Sequence, residues 1–227
     1  VAVGSGAGDA VSTGHRNILI GKQAGYVITT EDDCVLIGHN AGIALTHTDS
    51  NGTVAVGSWA LDALTNGIGN VAIGYEALST EDEGNSSTAV GYQALKAQNN
   101  DTGYNTAVGW TAGDLIVAGY ANTLIGAEAG TTGTGDLTSG IQNVLIGQAT
   151  SAGASGATNR IVIGRGATGQ ADNSVTLGNT SVDDVYMAQD SGATVHCLDV
   201  KPTGGALKEN LLSNSGWDVW SNSTLEN

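Results

Sequence analysis

Residues 105–109 read Asn105-Thr106-Ala107-Val108-Gly109, and close variants of this pentad recur along nearly the whole chain. Every copy ends in a glycine, and these glycines are Gly4, Gly21, Gly38, Gly57, Gly74, Gly91, Gly109, Gly126, Gly147, Gly164 and Gly178. The commonest spacing between them is 17 residues, as from Gly4 to Gly21. A unit this short cannot bury an apolar face alone and must be covered by its neighbours. The repeat therefore predicts an all-β, elongated parallel solenoid with coils of about 17 residues.

The residue directly before each pentad glycine is always aliphatic. This first column contains Val3, Ile20, Ile37, Val56, Ile73, Val90, Val108, Ile125, Ile146, Ile163 and Leu177. Two positions earlier stands a second column of Val, Ile or Thr, which runs from Val1 to Val175. Side chains alternate along a strand, so both columns lie on the same face. Because β-branched residues favour strands, the pentad predicts one strand per coil.

The middle residue of each pentad faces the opposite way and is also mostly apolar. This middle column reads Ala2, Leu19, Leu36, Ala55, Ala72, Ala89, Ala107, Leu124, Leu145, Val162 and Thr176. Strands that are apolar on both faces are usually buried on both, yet a narrow coil has only one interior. We therefore expect further copies of the chain to cover the other face. The first column, from Ile20 to Ile163, is expected to pack in the core or between chains.

The rest of each unit combines small, apolar and polar positions. Alanine stands three residues after most pentad glycines, as at Ala24 and Ala94, and polar segments such as residues 80–85 follow. We expect a return segment and an outer turn there, with the length variation confined to the turn. The asparagine that opens many pentads is open to two interpretations, a ladder of buried amides or a turn residue in left-handed conformation. These asparagines are Asn17, Asn70, Asn105, Asn122 and Asn143.

Composition and charge exclude several classes of function. The chain has 227 residues, 35 of them Gly and none Phe, so we expect a thin core. Its 22 acidic and 7 basic residues give a formal charge of −15, which argues against nucleic acid as a partner. With no apolar run of about 18 residues, we expect no membrane insertion. Cys34 and Cys197 are far apart in sequence, and we expect two thiols rather than a disulfide.

Motifs that carry chemistry are missing from the sequence. The four histidines do not have the spacing of metal ligands, and neither a nucleophile elbow nor a phosphate-binding Gly-Lys-Ser/Thr motif is present. Acidic clusters at residues 31–33, 81–83 and 183–184 are interpreted as solvated turns, because they match no calcium-binding motif. We expect no enzymatic activity, no cofactor and no metal site.

One surface column stands out, at the position directly after the pentad glycine. Tyr75, Tyr92 and Trp110 occupy it in three consecutive coils, so their rings should lie along one line about 4.8 Å apart. Such rings stabilise neighbouring strands by stacking, which is the interpretation we favour. The other interpretation is a platform for the sugar rings of a host-surface glycan.

The pentads resemble repeats of bacteriophage tail fibres, with the pattern Asn-Thr-Ala-Val-Gly-x-x-Ala-Leu. They are also similar to the head repeats of YadA-like trimeric autotransporter adhesins. Residues 105–109 and the stretch Thr88-Ala89-Val90-Gly91-Tyr92-Gln93-Ala94-Leu95 carry the likeness best, and it covers about residues 1–182. The resemblance implies a homotrimer of left-handed parallel β-rolls. The basic neck and the apolar heptads of the adhesins are missing, which favours the phage fibre.

The same resemblance gives an expectation for function. It implies a non-enzymatic structural and adhesive segment of a virion tail fibre, with other tail components and a host-surface glycan or protein receptor as partners. The alternatives are a polysaccharide-degrading tailspike and the head of a bacterial trimeric adhesin at the cell surface.

Residues 183–227 break the period and are predicted to form a separate C-terminal cap or tip. They contain the only proline, Pro202, together with Trp217 and Trp220, whose expected role is packing on the end of the stack. The cleavage signature of the chaperone domain that ends many phage fibres is absent at residues 181–184. Because Val1 already lies inside a unit, we expect the sequence to be a fragment of a longer protein.

Overall fold

The structure, a computed structural model, describes residues 1–46, 50–133 and 135–185. These residues form one parallel sheet of eleven strands in sequence order. The strands are β1 (Ala2–Val3), β2 (Ile18–Ile20), β3 (Val35–Ile37), β4 (Val54–Val56), β5 (Val71–Ile73), β6 (Thr88–Val90), β7 (Thr106–Val108), β8 (Thr123–Ile125), β9 (Val144–Ile146), β10 (Arg160–Ile163) and β11 (Ser174–Leu177). The prediction of an all-β parallel solenoid with about 17 residues per turn is confirmed. The predicted cap at 183–227 lies outside the described residues, apart from 183–185.

Successive pentads stack in strict register. Strand β4 pairs with β5 so that Ala55 lies opposite Ala72 and Val56 opposite Ile73. The register is kept where the spacing is longer, because Ile125 of β8 still pairs with Ile146 of β9. The extra residues therefore lie outside the strands, and equivalent side chains of all coils form continuous columns along the stack.

The middle column of the pentads lines the interior of the coil. Leu36, Ala72 and Leu145 are fully buried, and so is the alanine column that includes Ala24 and Ala94. Larger aliphatic side chains from the segment after the alanine fill the remaining space, and these are Ile28, Leu45, Leu61, Leu64, Leu78, Leu95, Ile116 and Leu137. The core is therefore thin and is built from alanines and a few leucine and isoleucine side chains per coil.

The two outer columns of the strands lie on the opposite face and stay partly exposed. The exposed fraction is 38% at Ile20, 40% at Ile73 and 41% at Ile125. The whole first column lies outside the buried core of the single chain, and its members are half-buried or exposed at Ile20, Ile37, Val56, Ile73, Val90, Val108, Ile125, Ile146 and Ile163. The packing of this face against further copies stays a prediction.

The pentad glycine is dictated by backbone geometry and by close approach of the next coil. Gly91 has φ +142°, a conformation that residues with a Cβ rarely adopt. A Cβ at this position would lie 2.2 Å from the carbonyl oxygen of Gly109 in the following coil. The same contact recurs along the column, so glycine is the residue that allows the coils to stack at strand spacing.

Three of the opening asparagines, Asn105, Asn122 and Asn143, form a buried ladder of amides, which favours the first of the two interpretations for these coils. Asn105 Nδ2 donates to Gly119 O at 2.8 Å, and its Oδ1 accepts from the backbone N of Asn122 at 2.9 Å and from Asn122 Nδ2 at 3.1 Å. Asn122 bonds to Asn143 in the same way. The left-handed conformation belongs to the residue before each asparagine, as at Tyr104 with φ +59°. The asparagines of the ladder therefore contribute through the hydrogen bonds of their side-chain amides.

Two interior positions carry polar side chains where other coils have Ile or Leu. Glu81 and Gln98 stand seven residues after their pentad glycines, as Leu64 and Ile116 do, and all four are fully buried. Glu81 Oε2 accepts from Gln98 Nε2 at 2.6 Å, and Gln98 Oε1 accepts from Asn105 Nδ2 at 2.8 Å. Burial raises the pKa of Glu81. A hydrogen-bonded network thus links neighbouring coils from inside.

Some of the acidic residues that were expected to lie in solvated turns are buried. Glu31 and Glu81 are fully buried, and their carboxylates accept backbone N–H groups of the turn. Glu31 Oε2 accepts from Thr29 N at 2.6 Å and from Thr30 N at 2.8 Å, while Glu81 Oε1 accepts from Gly84 N at 2.7 Å. The interpretation as solvated turns is wrong for these two side chains, because both are fully buried and bond to backbone amides of the turn.

We expect Gly91→Ala to destabilise the protein by at least about 3 kcal/mol, because the added methyl group meets a backbone carbonyl that cannot move alone. Gly156→Ala is the matched control, since the nearest atom to a Cβ there is Ser139 Oγ at 3.6 Å, an ordinary contact. Chemical denaturation of both variants measures the difference. Equal stability of the two variants would contradict the stacking geometry.

We expect Gln98→Leu to lower the free energy of unfolding by about 2 to 3 kcal/mol at pH 7, because it leaves the buried Glu81 carboxylate without its side-chain hydrogen-bond donor. The double variant Glu81→Leu/Gln98→Leu restores the aliphatic column and should recover most of this loss. Gln170→Leu, at an exposed site, is the control and should stay within about 0.5 kcal/mol of the original chain.

The pH dependence of the Gln98→Leu variant checks the same network. A carboxyl group whose folded pKa is raised destabilises the fold as pH rises from its unfolded value through its folded value. Acidification below the raised pKa of Glu81 should therefore remove much of the penalty of Gln98→Leu, as followed by thermal denaturation over a series of pH values. A penalty that does not change with pH would contradict a buried charge at Glu81.

Candidate functional site

The aromatic side chains that the sequence singled out stack on one another. Tyr75, Tyr92 and Trp110 follow β5, β6 and β7 after one intervening glycine, and register between these strands brings them together. Ring centroids of Tyr75 and Tyr92 are 5.3 Å apart with 12° between the planes, and those of Tyr92 and Trp110 are 6.5 Å apart with 19°. We call these three residues the aromatic ladder.

The ladder leaves part of each ring accessible. Its centroid separations exceed the roughly 3.5–4.0 Å of carbon–carbon contact, so the rings do not cover each other as a close face-to-face sandwich. The exposed fraction is 42% at Tyr75, 44% at Tyr92 and 52% at Trp110. The same column has Ser58 in the coil before and Ala127 in the coil after. No ring of this column therefore covers the outer faces of Tyr75 and Trp110.

A row of polar side chains lies beside the ladder. Glu76 Oε2 accepts from Lys96 Nζ at 2.5 Å and from Gln93 Nε2 at 2.8 Å. These bonds, with Lys96 as the largest cause and the Tyr75 hydroxyl as a further donor, lower the pKa of Glu76 to about 2. The bond to Glu76 in turn raises the pKa of Tyr75. Glu76 is thus held as a carboxylate at the edge of the ladder.

A small groove opens next to this row. Its volume is about 180 Å³, and it is lined by Trp59, Asp62, Glu76, Ser79 and Lys96. We call it the Trp59 groove. Burial raises the pKa of Asp62, with the charge of Glu76 as a smaller contribution. Because Glu76 lines the groove and also bonds to Tyr75, the groove and the ladder are continuous.

The Trp59 ring is held in place by a second aromatic contact. His39 and Trp59 lie edge to face, with centroids 5.2 Å apart and planes at 90°. Trp59 occupies the position two residues after Gly57, where Glu76 and Gln93 stand in the next two coils, and its φ is +61°. The wall of the groove is therefore built from the same column as the polar row.

Sequence reasoning found the ladder and missed the groove. The repeat does place the groove residues in two columns. Trp59, Glu76 and Gln93 stand two residues after their pentad glycines, and Asp62, Ser79 and Lys96 stand five residues after them. Neither column has a uniform chemical character, so neither stood out. The pairing of different residue types across coils, such as Lys96 with Glu76, becomes visible only when the columns are set side by side in space.

Other candidate chemistry is not assembled in the described ranges. Within residues 1–46, 50–133 and 135–185, no group of three or more His, Cys, Asp or Glu side chains is placed to hold a metal ion. Cys34 is buried, and burial raises the pKa of its thiol to about 11, which keeps it protonated and unreactive. His196, Cys197, Trp217 and Trp220 lie outside the described residues.

Comparisons with known proteins assign no family. No family model, no curated protein and no solved structure matches the chain. In the part of the chain that the structure describes, no helix has both the length and the apolar character needed to cross a membrane. Support for a function therefore comes from the geometry of the solenoid and from the resemblance of its pentads.

We expect Lys96→Met to raise the pKa of Glu76 from about 2 toward the usual glutamate value, because it removes the strongest hydrogen bond to the carboxylate. A carboxyl group whose pKa is lowered by folding stabilises the protein at pH values above its pKa in the unfolded chain. This stabilisation is lost as the pH falls toward about 2. The variant should therefore show a weaker acid dependence. Titration of the Glu side-chain carbons by NMR measures the shift, and Lys22→Met, at an exposed site, is the control.

Proposed function

We propose that the chain is a structural and adhesive shaft segment of a homotrimeric virion tail fibre. The observation that carries the proposal is the outward strand face, which is aliphatic or Thr at every position of its two columns and carries no charge from Val1 to Leu177. Soluble monomers rarely expose a contiguous apolar surface larger than a few hundred Å². A face that extends over eleven strands therefore calls for a partner along its whole length.

A second copy of the same chain fits this face best. The outer columns repeat at the spacing of the strands, and another copy has the same spacing and the same apolar side chains. Closed symmetric association of identical chains is the commonest way in which such faces are covered. The threefold order and the left-handed winding come from the resemblance to phage fibre repeats.

The mechanism of the shaft is rigidity. Backbone bonds join each coil to the next on both sides of the strand, as from Thr88 N to Asn105 O and from Gly91 N to Ile73 O, both at 2.8 Å. Each coil contacts only its neighbours, so the stack extends as a rod. With strands about 4.8 Å apart, eleven strands give a length on the order of 50 Å. Such a rod holds a receptor-binding surface at a fixed distance from its attachment point.

The proposed partners are other tail components and a receptor on the host surface, either a glycan or a protein. A position on the bacterial cell surface, as the head of an adhesin, is the alternative location. The complete reading frame and its neighbouring genes discriminate between a tail fibre and an adhesin. A fibre gene lies among other tail genes, whereas an adhesin gene also encodes a secretion signal and a membrane anchor.

A polysaccharide-degrading tailspike is a second candidate, favoured by one observation. Asp62 and Glu76 line the same groove, and their pKa values are shifted in opposite directions. Paired carboxyl groups with separated pKa values are the pattern of glycosidases. Glu76, however, is already bonded to Lys96 and Gln93, so we expect no release of reducing ends from neutral oligosaccharides incubated with the chain.

Light scattering tests the proposed trimer. We expect a mass three times the 22.6 kDa of one chain. Ile73→Glu/Ile125→Glu puts carboxylates on the outer face and should lower this mass, because each charge would be buried between chains. Leu115→Glu is the control, since Leu115 is 43% exposed and lies outside the strands.

Two results would contradict the proposal. One is an original chain that is folded by circular dichroism and has the mass of a monomer. The other is a folded Ile73→Glu/Ile125→Glu variant that keeps the mass of the original chain.

A further inference from the structure

We propose that the aromatic ladder and the Trp59 groove together bind an uncharged glycan, with one sugar residue in the groove and the following residues along the ladder. This inference deepens the adhesive role in the proposed function, on which it rests, because it names the chemistry of the receptor and the residues that hold it. Four features of the described residues carry it: accessible rings, fixed polar groups, local charge and size.

The rings supply the apolar part of the site. Sugar rings carry C–H groups that pack against aromatic surface, and such contacts gain from burial of apolar surface. Tyr75, Tyr92 and Trp110 keep 42% to 52% of their surface accessible and follow one another along one line. An extended chain of sugars can therefore contact several rings in succession, which a globular ligand cannot do.

The polar groups beside the rings supply direction and specificity. Lys96 and Gln93 carry donors, Asp62 and Glu76 carry acceptors, and the Ser79 hydroxyl is both. Lys96 and Gln93 are already held by Glu76 at 2.5 Å and 2.8 Å. Groups fixed before the ligand arrives lose less conformational freedom on binding. Hydroxyl-rich ligands are matched to such a mixture of donors and acceptors.

Local charge favours an uncharged ligand. Asp62 and Glu76 line the groove against a single cation, Lys96, whose charge is already paired with Glu76. Asp114 lies in the coil after Lys96, at the same position of the unit, and adds another acidic group. With a formal charge of −15 on the whole chain, an anionic polysaccharide is repelled both at a distance and at the site.

The size of the groove limits what it can take. At about 180 Å³ it is smaller than the roughly 300–1,000 Å³ of most small-molecule pockets, so it accommodates a single sugar residue. The remaining contacts come from the open ladder, and we expect weak binding at one site, with a Kd on the order of 1 mM. Several copies on one fibre strengthen the attachment by multivalency.

The test is titration calorimetry of the full chain with three neutral probes, maltohexaose, cellohexaose and mannohexaose, and with hexagalacturonate as the anionic comparison. We expect at least one neutral probe to bind and hexagalacturonate to bind more weakly. Tyr92→Ala removes the middle ring and should weaken binding by about tenfold, because that ring stacks on both neighbours and contacts the glycan. Lys96→Met should weaken binding by roughly threefold through loss of a donor.

Tyr104→Ala is the matched control, because Tyr104 is 58% exposed and precedes β7, at the opposite end of that strand from Trp110. Its binding should equal that of the original chain. The proposal is overturned if no neutral probe binds up to about 10 mM, if hexagalacturonate binds best, or if Tyr92→Ala and Trp110→Ala bind as the original chain does.

Light scattering on the same samples separates this inference from the proposed function. A trimer that binds no neutral glycan refutes the site and leaves the shaft intact, whereas a monomer that binds glycan refutes the shaft and supports the site. If Tyr92→Ala or Trp110→Ala lowers the mass of the oligomer, the ladder belongs to the interface between chains and the proposal is wrong.

Discussion

The close approach of backbone at the pentad glycines is the constraint on which the rest of the structure depends. With the carbonyl oxygen of Gly109 only 2.2 Å from where a Cβ on Gly91 would lie, the coils stack at strand spacing only if this position has no side chain. The same close approach recurs from Gly4 to Gly147, and the strands before these glycines pair in register, as β6 does with β7. Register in turn makes columns, and each column then has one environment along the entire stack. The buried amides, the aliphatic core and the aromatic ladder are all consequences of that single repeated contact.

Much of this could be predicted because a repeat converts sequence spacing directly into spatial neighbours. Strand positions, register and the alignment of Tyr75, Tyr92 and Trp110 result from the spacing alone. Which face of the strand points inward could not be predicted, since both faces are apolar, and only the geometry of the coil places Leu36 inside and Ile37 half outside. Glu81 and Glu31 were misjudged for a related reason. Acidic residues normally mark solvent, and their backbone hydrogen bonds depend on turn geometry that spacing does not encode.

The coils that carry the ladder also carry the polar interior. Glu81 and Gln98 belong to the same two coils as Tyr75 and Tyr92, and their network continues through Asn105 into the coil of Trp110. Aliphatic columns are interchangeable between coils, whereas these hydrogen bonds have a single set of partners. The network therefore ties together the three coils whose relative positions determine the spacing of the exposed rings.

Columns also explain where a repeat protein of this kind can acquire binding residues. The pentad glycine meets the backbone of the next coil, and the middle residue and the alanine are buried in the core, so a change at any of them disturbs the contacts of its coil with both neighbours. The position directly after the glycine has no such contact to satisfy. It holds Lys22, His39, Ser58 and Ala127 as readily as it holds the three rings. Residue types of any chemistry are accommodated at such outward positions, so a ligand-binding surface can form there while the shaft beneath remains unchanged.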